Sequence, residues 1–195
     1  TAGLRRKLGR ALRGAAGRRL DTDDAIERYV AEELDFATSH TFGGNTACLE
    51  VRAGDHIIIL DAGTGIIPLG RDLVRCGGPL EAVLLLSHLH HDHTQGFPFF
   101  TPAYLPGTRL HIYGPGASVE TLEKVLENNQ SPATFPVTLR DMAASKYIRS
   151  LKESEAVVWG ADGISVRGTG TPVPTDALRV RILRSSAHPG GVYIY

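Results

Sequence analysis

At 195 residues, 42% hydrophobic and 22% charged, the chain has the composition of one globular domain with a sizeable core, which excludes disorder of the whole. Lysine plus arginine and aspartate plus glutamate both number 21, so bulk charge selects neither nucleic acid nor an anionic membrane as partner. No apolar run approaches the ~20 residues of a membrane span and no signal-like segment opens the chain. The two cysteines, Cys48 and Cys76, form no CxxC pair, so a cytoplasmic protein with both thiols as small core residues is expected.

The charge sign flips early. Residues 1–20 carry seven basic and no acidic side chains, and residues 21–35 carry seven acidic side chains and one arginine, marking 1–35 as a helical arm distinct from 36–195. Leu4, Leu8 and Leu12 fall on one narrow helical face that Gly3, Gly9, Gly14 and Gly17 weaken. A packed or frayed terminal helix is expected there, with an RNA- or membrane-contacting arm and a targeting remnant as the alternatives. The run Asp21-Thr22-Asp23-Asp24 supplies N-capping chemistry for a short helix over about 25–34.

From Ala47 the pattern turns to strands. "ACLEV", a turn at Ala53-Gly54-Asp55 and "HIIIL" predict a hairpin; "IIPLGRDLVRCGG" predicts a helix with Pro68 near its start and glycines past its end. "AVLLLS" (82–87) reads as a strand buried on both faces. A strand at 109–113, a helix over about 118–127 and a helix near 141–151 follow, then strand-like runs "AVVW", "GISVR" and "ALRVRIL". This mixture, without internal repeats, predicts an α/β or α+β sandwich.

Four of the eight histidines stand within "SHLHHDHTQG", just after the buried strand. His88, His90, Asp92 and His93 form H-x-H-x-D-H; neutral imidazoles and carboxylates are ligands that Zn²⁺, Mn²⁺ and Fe accept. The two-residue spacing lets His88 and His90 face one ion, while Asp92 and His93 on the following turn can face a second position. His91 is expected to point away, and His40, His56 and His111 match no ligand motif. His188, in "SSAHPGG", is by itself a weak candidate.

These residues resemble the metallo-β-lactamase-fold hydrolases, in particular the branch of ribonuclease Z and related phosphodiesterases. "TFGGNTACLEV", "IIILDAGTGIIPLG", "LLLSHLHHDHTQGFPFF", "HIYGPG", "PATFPV" and "SAHPGGVYIY" carry the resemblance over about 40–195; the arm 1–35 has no counterpart. It implies an αββα sandwich with His88, His90 and His188 on a first metal and Asp92 and His93 on a second, one or two ions per chain, zinc foremost. Asp61 in "LDAGTG" would be a buried carboxylate steadying the histidine loop. The implied chemistry is hydrolysis of a phosphodiester, RNA or a cyclic nucleotide, by a metal-activated water that Asp92 orients and deprotonates. Gly43, Gly44, Asn45, Thr46 and Gly190 would receive the anionic substrate. A flavin-linked di-iron role is disfavoured, because those members carry a carboxylate where His90 stands.

The family pattern continues after the residue matched by His188 with a strand, a bridging aspartate and a last histidine. No Asp, Glu or His lies between His188 and Tyr195, so the hydrolase domain is expected to be incomplete at its C-terminal side as it stands. A single-metal three-histidine site, or ligands from another chain, are the alternatives. Rival functions are hydrolysis of a lactone or thioester on the same fold, and a non-catalytic metal-binding or regulatory domain.

Overall fold

Leu84, Leu85 and Leu86 lie at the centre of the larger of two compact units, each at most 2% exposed. Burying a leucine side chain stabilises the fold by roughly 1.5–3 kcal/mol, so this run alone anchors a strand. The computed structural model describes residues 2–40, 43–116 and 121–195 and divides the chain into units 1–44 and 45–195.

In the first unit, α1 (Ala2–Ala15) is followed by α2 (Asp23–Arg28), which runs into a π-helical turn at Tyr29–Glu33, and by α3 (Phe36–Ser39). Thr22 caps α2 by accepting from Ala25 N at 3.2 Å, and Asp35 caps α3 by accepting from Thr38 N at 2.8 Å. Tyr29 is buried and donates its hydroxyl to the Ala11 carbonyl at 2.7 Å. It meets α1 at Gly14, off the leucine line, so Leu4, Leu8 and Leu12 stay exposed. The leucine stripe is therefore not the face that Tyr29 meets: periodicity supplied the stripe, and the contact formed elsewhere.

In the second unit, β1 (Leu49–Ala53) and β2 (His56–Leu60) form the expected hairpin, with Leu49 opposite Leu60. The expected helix is α4 (Ile66–Cys76), and β3 (Glu81–Leu85) runs parallel to β2. Beyond the short α5 (His91–Thr94) come β4 (Arg109–Gly114), α6 (Leu122–Asn129) and β5 (Ser145–Ser150). Together they make a five-stranded sheet in the order β1-β2-β3-β4-β5, parallel except at the hairpin. The helix expected over about 118–127 is met by α6 from Leu122; residues 118–120 lie outside those described.

The segment near 141–151 corrects the sequence expectation, because it is the edge strand β5 and not a helix. Tyr147 pairs with His111 and Ile148 with Ile112, so β4 recruits the segment, and Lys146 ties back to the Met142 and Ala144 carbonyls. Tertiary pairing overrides the weak helical spacing here.

The remaining strands are β6 (Glu155–Gly160), β7 (Gly163–Gly168), β8 (Leu178–Arg181), β9 (Leu183–Ser185) and β10 (Val192–Ile194). β6 pairs antiparallel with β7 and β8, and β9 with β10. One face of the large sheet packs Ile59, Leu84 and Ile112 against Ile66, Phe97, Phe100 and Leu122. The other packs Ile58, Val83, Leu85 and Tyr113 against Val157 and Trp159 of the three-stranded sheet. The second unit is thus mixed α/β, with helices on one face of its main sheet and a second sheet on the other. Cys76 is exposed at the end of α4, contrary to the core role expected of it. Cys48 is half-buried, and burial first, then Asp61 and Glu50, pushes its thiol up to about 11.

Candidate metal centre

The C-terminal ends of β2 and β3 deliver the site, where a parallel sheet releases its strands into loops. Asp61 follows β2 and Ser87 follows β3, and the two meet. The Asp61 Oδ1 accepts from Ser87 N at 2.7 Å, and the Ser87 hydroxyl lies 2.9 Å from both carboxylate oxygens. Asp61 adopts φ 62°, the one positive φ of a non-glycine residue among those described. Left-handed backbone is a strained choice for an L-residue and recurs where the surrounding structure holds a functional group in place.

The loops that follow are laced together at close range. Ala62 N donates to the His93 carbonyl at 2.8 Å, and Gly96 N donates to the Ala62 carbonyl at 2.9 Å. A Cβ at Gly63 would stand 2.4 Å from the Asp92 carbonyl, and one at Gly96 would stand 2.1 Å from the Gly63 carbonyl. Only glycine allows the two backbones this approach. Thr46 and Thr64 brace the crossing by exchanging bonds: each backbone N–H donates to the other's hydroxyl, at 2.9 and 2.8 Å. Gln95 Nε2 also donates to the Thr46 hydroxyl at 3.4 Å, and the Thr64 hydroxyl donates to Asn45 Oδ1 at 3.3 Å.

The chain turns at His90 into α5, and His93 N donates back to the His90 carbonyl at 3.0 Å. This turn folds His93 against His88, with ring centroids 4.0 Å apart. His88 is the hub: its ring also lies 4.7 Å from that of His90 and 4.4 Å from that of His188. His188 arrives on the loop between β9 and β10. That hairpin is tied to the end of β3, because Tyr193 N donates to the Ser87 carbonyl and the half-buried Tyr195 donates its hydroxyl to the Leu86 carbonyl, both at 2.8 Å.

Donor atoms of His88, His90 and His188 all lie within 4.8 Å of one another. The buried Nε2 of His88 has no hydrogen-bond partner, whereas its Nδ1 lies 3.0 Å from the Ser87 hydroxyl. A buried polar atom left unpaired is costly, and an imidazole lone pair aimed among two further imidazoles is satisfied by a cation. Burial first, then the neighbouring His93, His188 and His90, holds His88 below the usual imidazole range, favouring the neutral ring that ligates metal. The residues present therefore fit a metal ion.

His93 and Asp92 stand on the adjoining side. His93 Nδ1 lies 2.9 Å from Asp61 Oδ2, without hydrogen-bond alignment, and its Nε2 lies 3.5 Å from Asp92 Oδ2. The Asp92 side chain is 59% exposed, as a group that meets solvent or substrate must be. His91 points outward and is exposed.

A cleft of about 370 Å³ opens beside the imidazoles, lined by His88, His90, Pro115, Gly116, Gly190 and Gly191. A larger apolar cleft, about 480 Å³, lies between Val51, Leu60, Leu183 and Ile194; its lining includes Arg179 and Arg181 but no histidine or carboxylate. The smaller cleft is the one with chemistry at its wall. Gly43 and Gly44 are exposed and fall in the first unit, while Asn45 and Thr46 belong to the second. Sequence reasoning missed Ser87 and the two anchoring tyrosines; the serine directly before the motif and the alternation of "VYIY" were the available signals.

Comparison with curated proteins finds ribonucleases Z. The chain is 30% identical over 144 residues to ribonuclease Z of Mycobacterium avium, an alignment covering 67% of this chain and 50% of that protein. The Mycolicibacterium paratuberculosis ribonuclease Z is 30% identical over 147 residues, with the same two coverages. That of Oceanobacillus iheyensis is 25% identical over 118 residues, covering 56% of this chain and 39% of that protein. The chain thus spans about half the length of these curated relatives from the two mycobacteria. No family model and no solved structure matches it.

Proposed function

The chain is a relative of ribonuclease Z, and from that premise we propose that it carries the catalytic half-site of a metal-dependent phosphodiester hydrolase acting on RNA or a related diester. The convergence of His88, His90 and His188 from segments about a hundred residues apart is the observation that carries this reading. Hydrolysis of a lactone or thioester is the alternative on the same site.

In this reading the fold is a metallo-β-lactamase-like αββα sandwich in a cytoplasmic protein. His88, His90 and His188 hold one ion, and Asp92 and His93 contribute to a second. Zinc suits an all-imidazole set best, with manganese and iron as the other candidates. The ion supplies Lewis acidity and makes water a nucleophile near neutral pH.

The protein's own groups do the rest. Asp92, exposed at the mouth of the turn, orients the attacking water and takes its proton. Asp61 fixes the loop that carries the imidazoles. Gly190 and Gly191, both at φ 84°, keep the cleft wall free of side chains, so a phosphate group can approach the backbone closely. Thr46, whose hydroxyl is committed to Thr64 N and Gln95, braces the loop beneath Asn45.

The test is elemental analysis of protein purified without chelator, together with hydrolysis of bis(p-nitrophenyl) phosphate and a lactone. Bound metal with diester cleavage supports the reading. Metal-free protein overturns it, and lactone opening far faster than diester cleavage replaces the substrate class.

A further inference from the structure

We propose that Ser87 is a positioning residue that relays the Asp61 carboxylate to His88 and so fixes which imidazole nitrogen is free to bind metal. The inference deepens the metal-site reading above and rests on it.

The hydrogen-bond inventory of Ser87 leaves one consistent arrangement. A serine hydroxyl carries one proton and can also accept. Both oxygens of Asp61 lie 2.9 Å from the hydroxyl, and the same carboxylate already accepts the Ser87 backbone N–H at 2.7 Å. A carboxylate only accepts, so the hydroxyl proton goes to Asp61. The hydroxyl oxygen, 3.0 Å from His88 Nδ1, is then the acceptor, and Nδ1 must carry the ring proton. The lone pair is thereby left on Nε2, the atom that is buried, unpartnered and surrounded by the other imidazoles.

The division of labour at Asp61 follows. Its carboxylate stands beside His93 directly, at 2.9 Å from Nδ1, and reaches His88 only through Ser87. One buried acid thus stands against two imidazoles of the cluster, His93 directly and His88 through Ser87. The left-handed backbone at Asp61 and the backbone bond from Ser87 N keep the acid and hydroxyl in register. Partners that orient a metal-binding histidine through its other nitrogen typically change metal affinity by roughly 10–100-fold when removed.

The experiment uses the full chain, with Ser87→Ala and Ser87→Thr, and two readouts. The first is the ¹⁵N shift pattern of the His88 ring in metal-free protein. The wild type should show the proton on Nδ1, Ser87→Ala should redistribute it, and Ser87→Thr should restore it. The second is Co²⁺ and Zn²⁺ affinity by competition with a chromophoric chelator. Ser87→Ala should bind about tenfold or more weakly, and Ser87→Thr should bind like the wild type. A wild-type ring protonated on Nε2 overturns the relay, even if Ser87→Ala does not fold. Equal metal affinity of wild type and Ser87→Ala overturns it too. Failure of the wild type to bind either metal instead overturns the metal-site reading, and the ring tautomer still decides the relay.

Discussion

The two ends of the same parallel sheet use the same residue types and do different things with them. At the N-terminal ends of β3 and β4, Glu81 receives Arg109 at 2.9 Å and lies 3.2 Å from His111 Nε2. At the other end, Asp61 meets Ser87, His88 and His93. Both ends hold a buried imidazole nitrogen without a partner, Nδ1 of His111 and Nε2 of His88. The difference is company. His111 has Tyr113 and Tyr147 for ring neighbours, whereas His88 has three histidines. A histidine beside a carboxylate is ordinary strand chemistry; convergence of lone pairs makes a site.

Substitutions can break this comparison in order of expected effect. His90→Ala should lower diester hydrolysis by more than the ~100-fold that loss of an outer partner costs, with bound metal falling in parallel by elemental analysis. His111→Ala should change neither. Asp61→Asn keeps a side chain that tolerates left-handed backbone but removes the charge. Its metal affinity should fall by roughly 10–100-fold in a chelator competition. Gly63→Ala places a methyl against the Asp92 and Ala47 carbonyls and the Thr46 hydroxyl. We expect a loss of about 1–3 kcal/mol in denaturant unfolding, with weakened metal binding because the α5 turn must shift.

The smallest effect belongs to the far end. The Arg109 hydrogen bond, followed by that from His111, holds the Glu81 carboxyl below the usual carboxylate range. A depressed folded value contributes stability that is complete above the unfolded pKa of about 4.3 and disappears as the pH falls through the lower folded value. Glu81→Gln should therefore lower the Tm by about 1–2 °C near neutrality. That difference should close below about pH 4, and metal binding should be unaffected. A larger drop, or a loss of metal, would show that the two ends are coupled.

Much of the second unit was legible because its signals are local. The β1–β2 hairpin announces itself through Ala53-Gly54-Asp55, α4 through Pro68 and its trailing glycines, and β3 through an unbroken apolar run. β5 was misread because it is an edge strand whose more buried face carries Lys146 and Ser150 beside Ile148, so its apolar alternation is faint. Leu4, Leu8 and Leu12 showed a stripe correctly, but a period names a face and not what covers it. His188, a weak candidate by itself, was joined to His88 and His90 only through the resemblance. Its approach to His88 depends on the Tyr193 and Tyr195 anchors, and no local pattern encodes that distance. Ser87 was overlooked because its partner Asp61 lies 26 residues upstream.

The backbone of Asp61 has a consequence for how this site can change over generations. Left-handed φ is open chiefly to glycine, asparagine and aspartate, while the contacts to Ser87 and His93 ask for a carboxylate. Those two sets share one member. Glutamate has the charge without the backbone tolerance, and glycine and asparagine have the tolerance without the charge. Position 61 is therefore an island in mutational space: no single replacement preserves both properties. A library selected on folding alone should admit asparagine or glycine there, and one selected on metal binding should return aspartate.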